Sequence, residues 1–316
     1  MSEQSRIIQL DERTIGHIAA GEVVERPAQV VKELIENSID AGANKITIDV
    51  ERGGFDLIRI LDDGAGIHAD DLPLALDRHA TSKLRSQADL AAIGTLGFRG
   101  EALASIGMVS KLSISSRPAG TEGRKIVMDN GDKGMIEPAG IAEGTCMEVS
   151  HLFMNQPARL AFQRRPATET SRIVDVVVSH AISHPEVGFR LSSDEKIILE
   201  VPAVEEMEDR LYDILGRQAG RMIEISSPPS DEAAPGEENW QGWISTPDIT
   251  RGKGDDIHIL INGRPVASQP FLQSIRRGYR TRLMQGRHPV AVLLLELPPD
   301  EVDVNVHPTK REVRLR

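Results

Sequence analysis

The stretch from Pro27 to Gly66 constrains this chain more than any other, because it reads as helix, hairpin and glycine loop in that order. Pro27 suits the first position of a helix, where its missing N–H would have had no partner, and Gly42 suits the left-handed stop. Between them Ala28, Val31, Leu34, Ile35 and Ile39 recur at helical spacing and give one apolar face. Glu33, Asn37 and Asp40 fall at i, i+4 and i+7 and share a different, polar face. Ile46, Ile48 and Val50 then alternate with polar residues, and Gly53-Gly54 turns the chain into a second strand over Phe55–Leu61. The loop Asp62-Asp63-Gly64-Ala65-Gly66 follows. This order is not strand–glycine-loop–helix. The chain has neither a G-x-G-x-x-G after a strand nor a G-x-x-x-x-G-K-[ST] phosphate loop, and no Cys/His metal cluster.

Further strands are expected at 111–116, 124–129 and 145–150, with a helix over 168–183. The mixture predicts an α+β sandwich with helices on one face of an antiparallel or mixed sheet. Near residue 205 the pattern restarts: helix 206–215, strands 221–226, 240–245 and 257–261, helix 268–285 and strand 290–296. We therefore divide the 316 residues into a first domain over 1–205 and a smaller α+β domain over 206–316. The Pro- and Ser-rich stretch 226–238 has a linker's composition, but a strand on each side favours an exposed loop inside the second domain.

Composition excludes several classes. No run approaches the roughly 18 apolar residues of a membrane helix, so no membrane partner is expected. The N-terminus lacks a signal-peptide pattern. The single Cys146 cannot form an internal disulfide, which fits a reducing cytoplasm. A net charge of −11 argues against indiscriminate coating of nucleic acid but not against a local basic groove.

Three pieces carry chemistry. Glu33 can take a proton from water and the Asn37 amide oxygen can ligate Mg²⁺, a hard cation; alternatively Glu33 belongs to a solvated face and pairs with Lys32 or Arg26. Asp62, at a strand end before two glycines, can accept from an adenine amino group, or can be an ordinary Asp-Gly turn. Gly94–Gly100 runs into Glu101-Ala102-Leu103-Ala104, a helix start where free N–H groups suit an anion.

Together these pieces resemble the three N-terminal motifs of the GHKL ATPases. The wording is closest to the MutL mismatch-repair family. Ile18–Pro27 matches that family's opening signature and Lys32–Gly42 its catalytic helix. Arg78–Lys83 and Gly97–Ile106 match its ATP lid and phosphate segment, and Asn262-Gly263-Arg264 and Val302–Lys310 match its second domain. The resemblance runs in order from about residue 6 to the end.

The resemblance implies a Bergerat-type ATP-binding sandwich with an N-terminal arm at 1–20 and a lid at about 77–100. A second domain like the ribosomal-protein-like transducer domain follows. It implies that Glu33 is the general base, Asn37 the Mg²⁺ ligand and Asp62 the adenine reader, with Gly64 and Gly66 close to the ligand. Thr81, Ser82 and Lys83 would order over the nucleotide, Gly97, Phe98, Arg99, Gly100, Glu101, Ala102 and Leu103 would bind phosphates, Thr145 would line the same site, and Lys310 would reach the γ-phosphate. ATP would bring two copies together, with a MutS-type mismatch sensor as a further partner. DNA contact is expected at Arg159, Arg164 and Arg165 and at Arg276, Arg277, Arg280 and Arg282. Family members ordinarily continue into a C-terminal dimerisation domain, often with an endonuclease site; no such signature is present in 1–316, so nicking is not expected of it. A non-catalytic ATP-gated DNA clamp and another GHKL ATPase are the alternatives. Asp63 departs from the family's usual Asn and brings a second carboxylate, either turned inward near the phosphates or solvated.

Overall fold

A computed structural model describes residues 10–83, 100–227, 239–254, 256–266 and 269–298, together with the backbone of 302–303 and 314–315. Among these residues no helix is long and apolar enough to cross a membrane. The chain divides into two compact units. One holds described residues up to 83, 100–173 and 191–198; the other holds 174–190 and the described residues from 199 onward. A single cut at 205/206 does not describe this division, because the second half of one long helix groups with the later core.

In the first unit α1 (Glu12–Val23) begins at Asp11, whose side chain accepts from the Thr14 N–H at 2.8 Å. α2 (Pro27–Asp40) starts and stops as its proline and glycine dictate, burying Ala28, Val31, Leu34 and Ile35. β1 (Lys45–Glu51) and β2 (Leu57–Asp62) pair antiparallel, with Ile46 opposite Asp62. A short α3 (Leu72–Ala75) and α4 (Ala102–Met108) precede β3 (Lys111–Arg117), β4 (Arg124–Asp129), the two-residue β5 (Asp132–Lys133) and β6 (Glu137–Pro138), and β7 (Gly144–Ser150). α5 (Pro157–Ala161) belongs to it whole, while α6 (Pro166–Ser183), β8 (Gly188–Ser193) and β9 (Lys196–Val201) are each cut by the division between the units. The sheet order is β5-β4-β3-β7-β2-β1-β8-β9, with β6 on β4.

Period-two alternation sets the inward face: Ile46, Ile48 and Val50 of β1 and Ile58 and Ile60 of β2 are all buried. Asp62 is the next inward position of β2, so the pleat that buries two isoleucines also buries this carboxylate.

The second unit contains α7 (Met207–Leu215), β10 (Met222–Ser226), β11 (Asn239–Ser245), β12 (Thr250–Arg251), β13 (Ile257–Ile261), β14 (Arg264–Pro265) and α8 (Gln269–Tyr279). β15 (His288–Pro289), β16 (Ala291–Glu296), β17 (Val302–Asp303) and β18 (Arg314–Leu315) follow. Its five-stranded sheet runs β10-β11-β16-β13-β14, with β13 and β16 parallel. β10 and β11 pair antiparallel inside this unit, and residues 228–238 between them lie outside the described residues. β13 feeds two cores. Leu260 joins Ile182, Leu211, Trp243 and Val292, while Ile259 and Ile261 join Val266, Leu295 and Leu297 beneath Phe271, Leu272 and Ile275 of α8.

α8 ends at Tyr279, not 285. The Tyr279 hydroxyl donates to the Ser245 carbonyl at 2.6 Å, and Arg280 turns left-handed at φ 51°, which closes the helix into a 3-10 turn over Arg280–Arg282. Arg280 and Arg282 therefore lie beyond the helix that was expected to carry them.

Candidate nucleotide site

Asp62 is the centre of the site's floor. It is 5% exposed and accepts three hydrogen bonds: from Ser38 Oγ to Oδ2 at 2.8 Å, and from the N–H groups of Gly64 and Thr145 to Oδ1 at 3.0 and 3.3 Å. Burial pushes its pKa above the ordinary value, against the opposing pull of these three donors. A carboxylate has about four acceptor positions, so Oδ2 keeps capacity for one more N–H.

Ser116 supports this floor from β3. Its Oγ accepts from the Ile67 N–H at 2.8 Å and lies 2.9 Å from Thr145 Oγ1 and 3.1 Å from the Gly144 carbonyl. Gly66 at φ 75° passes so close to the next strand end that a Cβ would lie 2.8 Å from the Pro118 nitrogen. Gly144, at φ 118°, would put a Cβ 2.1 Å from the Asp62 carbonyl. Ser38, Ser116 and Gly144 were not anticipated as site residues. Ser38 alone left a signal, a hydroxyl at a helix position that the chain buries.

Asp63 Oδ1 accepts from the backbone N–H groups of Asn44 and Lys45 at 2.8 and 2.9 Å, which ties the extra carboxylate to the entrance of β1, and its charge adds to the upward shift at Asp62.

On α2, the pairing of Glu33 with Lys32 or Arg26 does not occur. Lys32 lies 3.3 Å from Glu36 and Arg26 lies 3.7 Å from Glu169. The Glu33 carboxylate is half-buried, and among the described residues no hydrogen bond or ion pair holds it. One turn on, Asn37 Oδ1 accepts from Lys83 Nζ at 2.9 Å, and the same ammonium lies 2.5 Å from Asp40 Oδ2. Asn37 thus presents a hard oxygen, already holding a cation, between the Glu33 and Asp40 carboxylates. This donor set fits a magnesium ion.

Thr81 and Ser82 are exposed, and Thr81 Oγ1 accepts from the Lys83 N–H at 3.1 Å. Glu101 stands at the N-cap position of α4 without a side-chain cap bond; its carboxylate lies 3.3 Å from the His79 ring, and the His79 backbone N–H donates to the Gly100 carbonyl at 3.0 Å. Ala102 and Leu103 form the half-buried first turn of α4. Gly97, Phe98, Arg99 and Lys310 lie outside the described residues.

Among the arginines, Arg164, Arg165, Arg276, Arg277, Arg280 and Arg282 are exposed. Arg159 is committed to the fold: its Nη1 donates to the Val24 carbonyl at 3.3 Å and its guanidinium stands over the Phe153 ring at 5.6 Å. A cavity of about 340 Å³ beside it, floored by the buried Glu169, shares no residue with the nucleotide set. Cys146 is half-buried, and burial pushes its thiol up to about 11, so it is an inert thiol at neutral pH.

Two family models match. Residues 25–136 match the histidine kinase-, DNA gyrase B- and HSP90-like ATPase, and residues 212–316 match the DNA mismatch repair protein, C-terminal domain. Over 98% of its length the chain is 44% identical to the DNA mismatch repair protein MutL of Anaeromyxobacter dehalogenans. The chain belongs to the MutL family. It is likewise 44% identical over its whole length to the MutL of Pseudomonas putida strain GB-1. It spans about half the length of these relatives. Among solved structures, the Aquifex aeolicus MutL ATPase domain complexed with ADP matches with a TM-score of 0.68 at 27% identity, covering 88% of this chain and 94% of that one. The N-terminal domain of a DNA repair protein matches with a TM-score of 0.80 at 27% identity, covering 95% and 92%. The first unit is therefore a GHKL ATPase fold of the mismatch-repair type, followed by the family's second domain.

Proposed function

We propose that this chain binds ATP, hydrolyses it slowly with Mg²⁺, and uses binding to bring two copies together through residues 1–20 in DNA mismatch repair. The observation that carries the reading is Asp62: a buried carboxylate held by three donors, with acceptor capacity left for an exocyclic amino group. Glu33, unclaimed by Lys32 or Arg26, takes the proton of the attacking water. Asn37 Oδ1 holds the metal, which when bound neutralises phosphate charge. Thr145 lines the base side. Thr81, Ser82 and Lys83 close over the triphosphate, with residues 97–103 giving backbone N–H groups and Lys310 reaching the terminal phosphate. The exposed arginines at 164, 165, 276, 277, 280 and 282 contact DNA phosphates, and a MutS-type sensor is a further partner in a reducing cytoplasm. No endonuclease activity is assigned to residues 1–316.

The test is ATP turnover with Mg²⁺ by the wild-type chain and Glu33→Ala, with molecular size measured in a non-hydrolysable analogue. The expected result is a loss of about 10²- to 10⁴-fold in turnover with nucleotide affinity retained, and dimers with the analogue. Binding without turnover in the wild type would make the chain a non-catalytic clamp; turnover that survives in Glu33→Ala would end the assignment of the base.

A further inference from the structure

Lys83 sits on the atom that the proposed metal needs. Its Nζ is 2.9 Å from Asn37 Oδ1 and 2.5 Å from Asp40 Oδ2. The Lys83 and Asp40 side chains are only 18% and 8% exposed, so solvent screens this pair poorly. An ammonium only donates, so it must face the oxygen of the Asn37 amide and fixes that side chain's orientation. A magnesium ion binds oxygen at about 2.0–2.1 Å and would share this same oxygen with the ammonium, two cations within a few ångströms of each other. They exclude one another.

We infer that Lys83 is a tethered cation that must leave Asn37 before Mg²⁺ can enter, and that Asp40 is the positioning residue that holds it there. The inference rests on the reading of Asn37 as the metal ligand. Asp40 therefore opposes metal entry, acting through Lys83, although a carboxylate beside a metal site would ordinarily assist it. The Lys83 backbone N–H separately donates to Thr81 Oγ1 at 3.1 Å, a local bond that does not depend on where the ammonium sits.

Two measurements on the 316-residue chain test this. The first is acetylation of lysines read by mass spectrometry. Lys83 should react more slowly than the exposed Lys111 and Lys196, and several-fold faster in Asp40→Asn or when excess Mg²⁺ alone is added. The second is the Mg²⁺ dependence of ADP binding, chosen because ADP has no γ-phosphate to draw Lys83 away from Asn37. Asp40→Asn and Lys83→Met should each lower the Mg²⁺ concentration for half-saturation several-fold, and the double variant should do no more than Lys83→Met alone. A raised Mg²⁺ requirement in Asp40→Asn that persists in the Lys83→Met background would make Asp40 a metal-side group and overturn the inference. So would Lys83 labelling indifferent to Asp40 and to Mg²⁺, even with ADP bound normally. Labelling that responds to Mg²⁺ while ADP fails to bind would leave the exchange standing and defeat the ATP reading.

Discussion

Asp62 and the arginines around α8 are both charged groups assigned to ligand contact, and they are built in opposite ways. Asp62 is buried, and each of its partners comes from a different element: Ser38 from α2, Gly64 from the loop and Thr145 from β7. Arg276, Arg277, Arg280 and Arg282 are exposed, on the face of α8 and the turn beyond it that Phe271, Leu272 and Ile275 leave free. A buried charge demands fixed partners, so its geometry is over-determined and any ligand meets a finished site. An exposed cation needs none. It attracts polyanions at a distance, with little geometric selectivity and strong dependence on salt.

The strongest way to break this contrast is Asp62→Ala. Ser38 can fall back on the Leu34 carbonyl at 3.1 Å, but the N–H groups of Gly64 and Thr145 lose their acceptor. We expect a loss of about 2–4 kcal/mol in urea unfolding and no detectable nucleotide binding. Unchanged stability would mean that the three donors are not satisfied by this carboxylate. Arg276→Glu, Arg277→Glu and Arg280→Glu combined should instead leave the unfolding midpoint nearly unmoved. Their effect should be to weaken DNA binding and to reduce the slope of log affinity against log salt by roughly 3; a slope equal to wild type would show that these side chains touch no phosphate.

Titration sharpens the comparison further. The Asp62 pKa is raised in the folded protein, so the folded state binds its proton more tightly than the unfolded chain does. Its stabilising share is present at low pH and is lost as pH rises through the folded value. Wild-type stability relative to Asp62→Asn should accordingly fall as pH climbs through the region just above the ordinary carboxylate range, then level off. A difference independent of pH would contradict this. The smallest effect is expected for Asp63→Asn. Asparagine keeps the Oδ1 acceptor for Asn44 and Lys45, so stability should stay within about 0.5 kcal/mol and ADP affinity within about twofold. A large gain in ADP affinity would place the Asp63 charge nearer the phosphates than its hydrogen bonds allow.

Legibility in the sequence followed the same division between local and distant causes. α2 and the β1–β2 hairpin were readable because proline, glycine and period-two or helical spacing act within a few residues. α1 was not read as a helix, although Asp11 and Thr14 carry its cap. β8 and β9 were passed over as well. Lys196, Ile197 and Ile198 of β9 are all exposed, so this edge strand shows no alternation to detect. The end of α8 at Tyr279 depends on a hydrogen bond to Ser245, 34 residues away, and no local signal announces it.

The sequence by itself determined which residues share a face: Glu33, Asn37 and Asp40 on one side of α2, and the isoleucines with Asp62 on one side of the hairpin. That information is contained in backbone periodicity, which needs no partner. Only the tertiary structure decided what those faces meet. It brought Thr145 to Asp62 across 83 residues and Lys83 to Asn37 across 46, and it turned Asp63 back onto Asn44 and Lys45. The antiparallel register of β2 on β7 sets Asp62 opposite Thr145, and a register is a property of two strands together, fixed by the core they jointly bury.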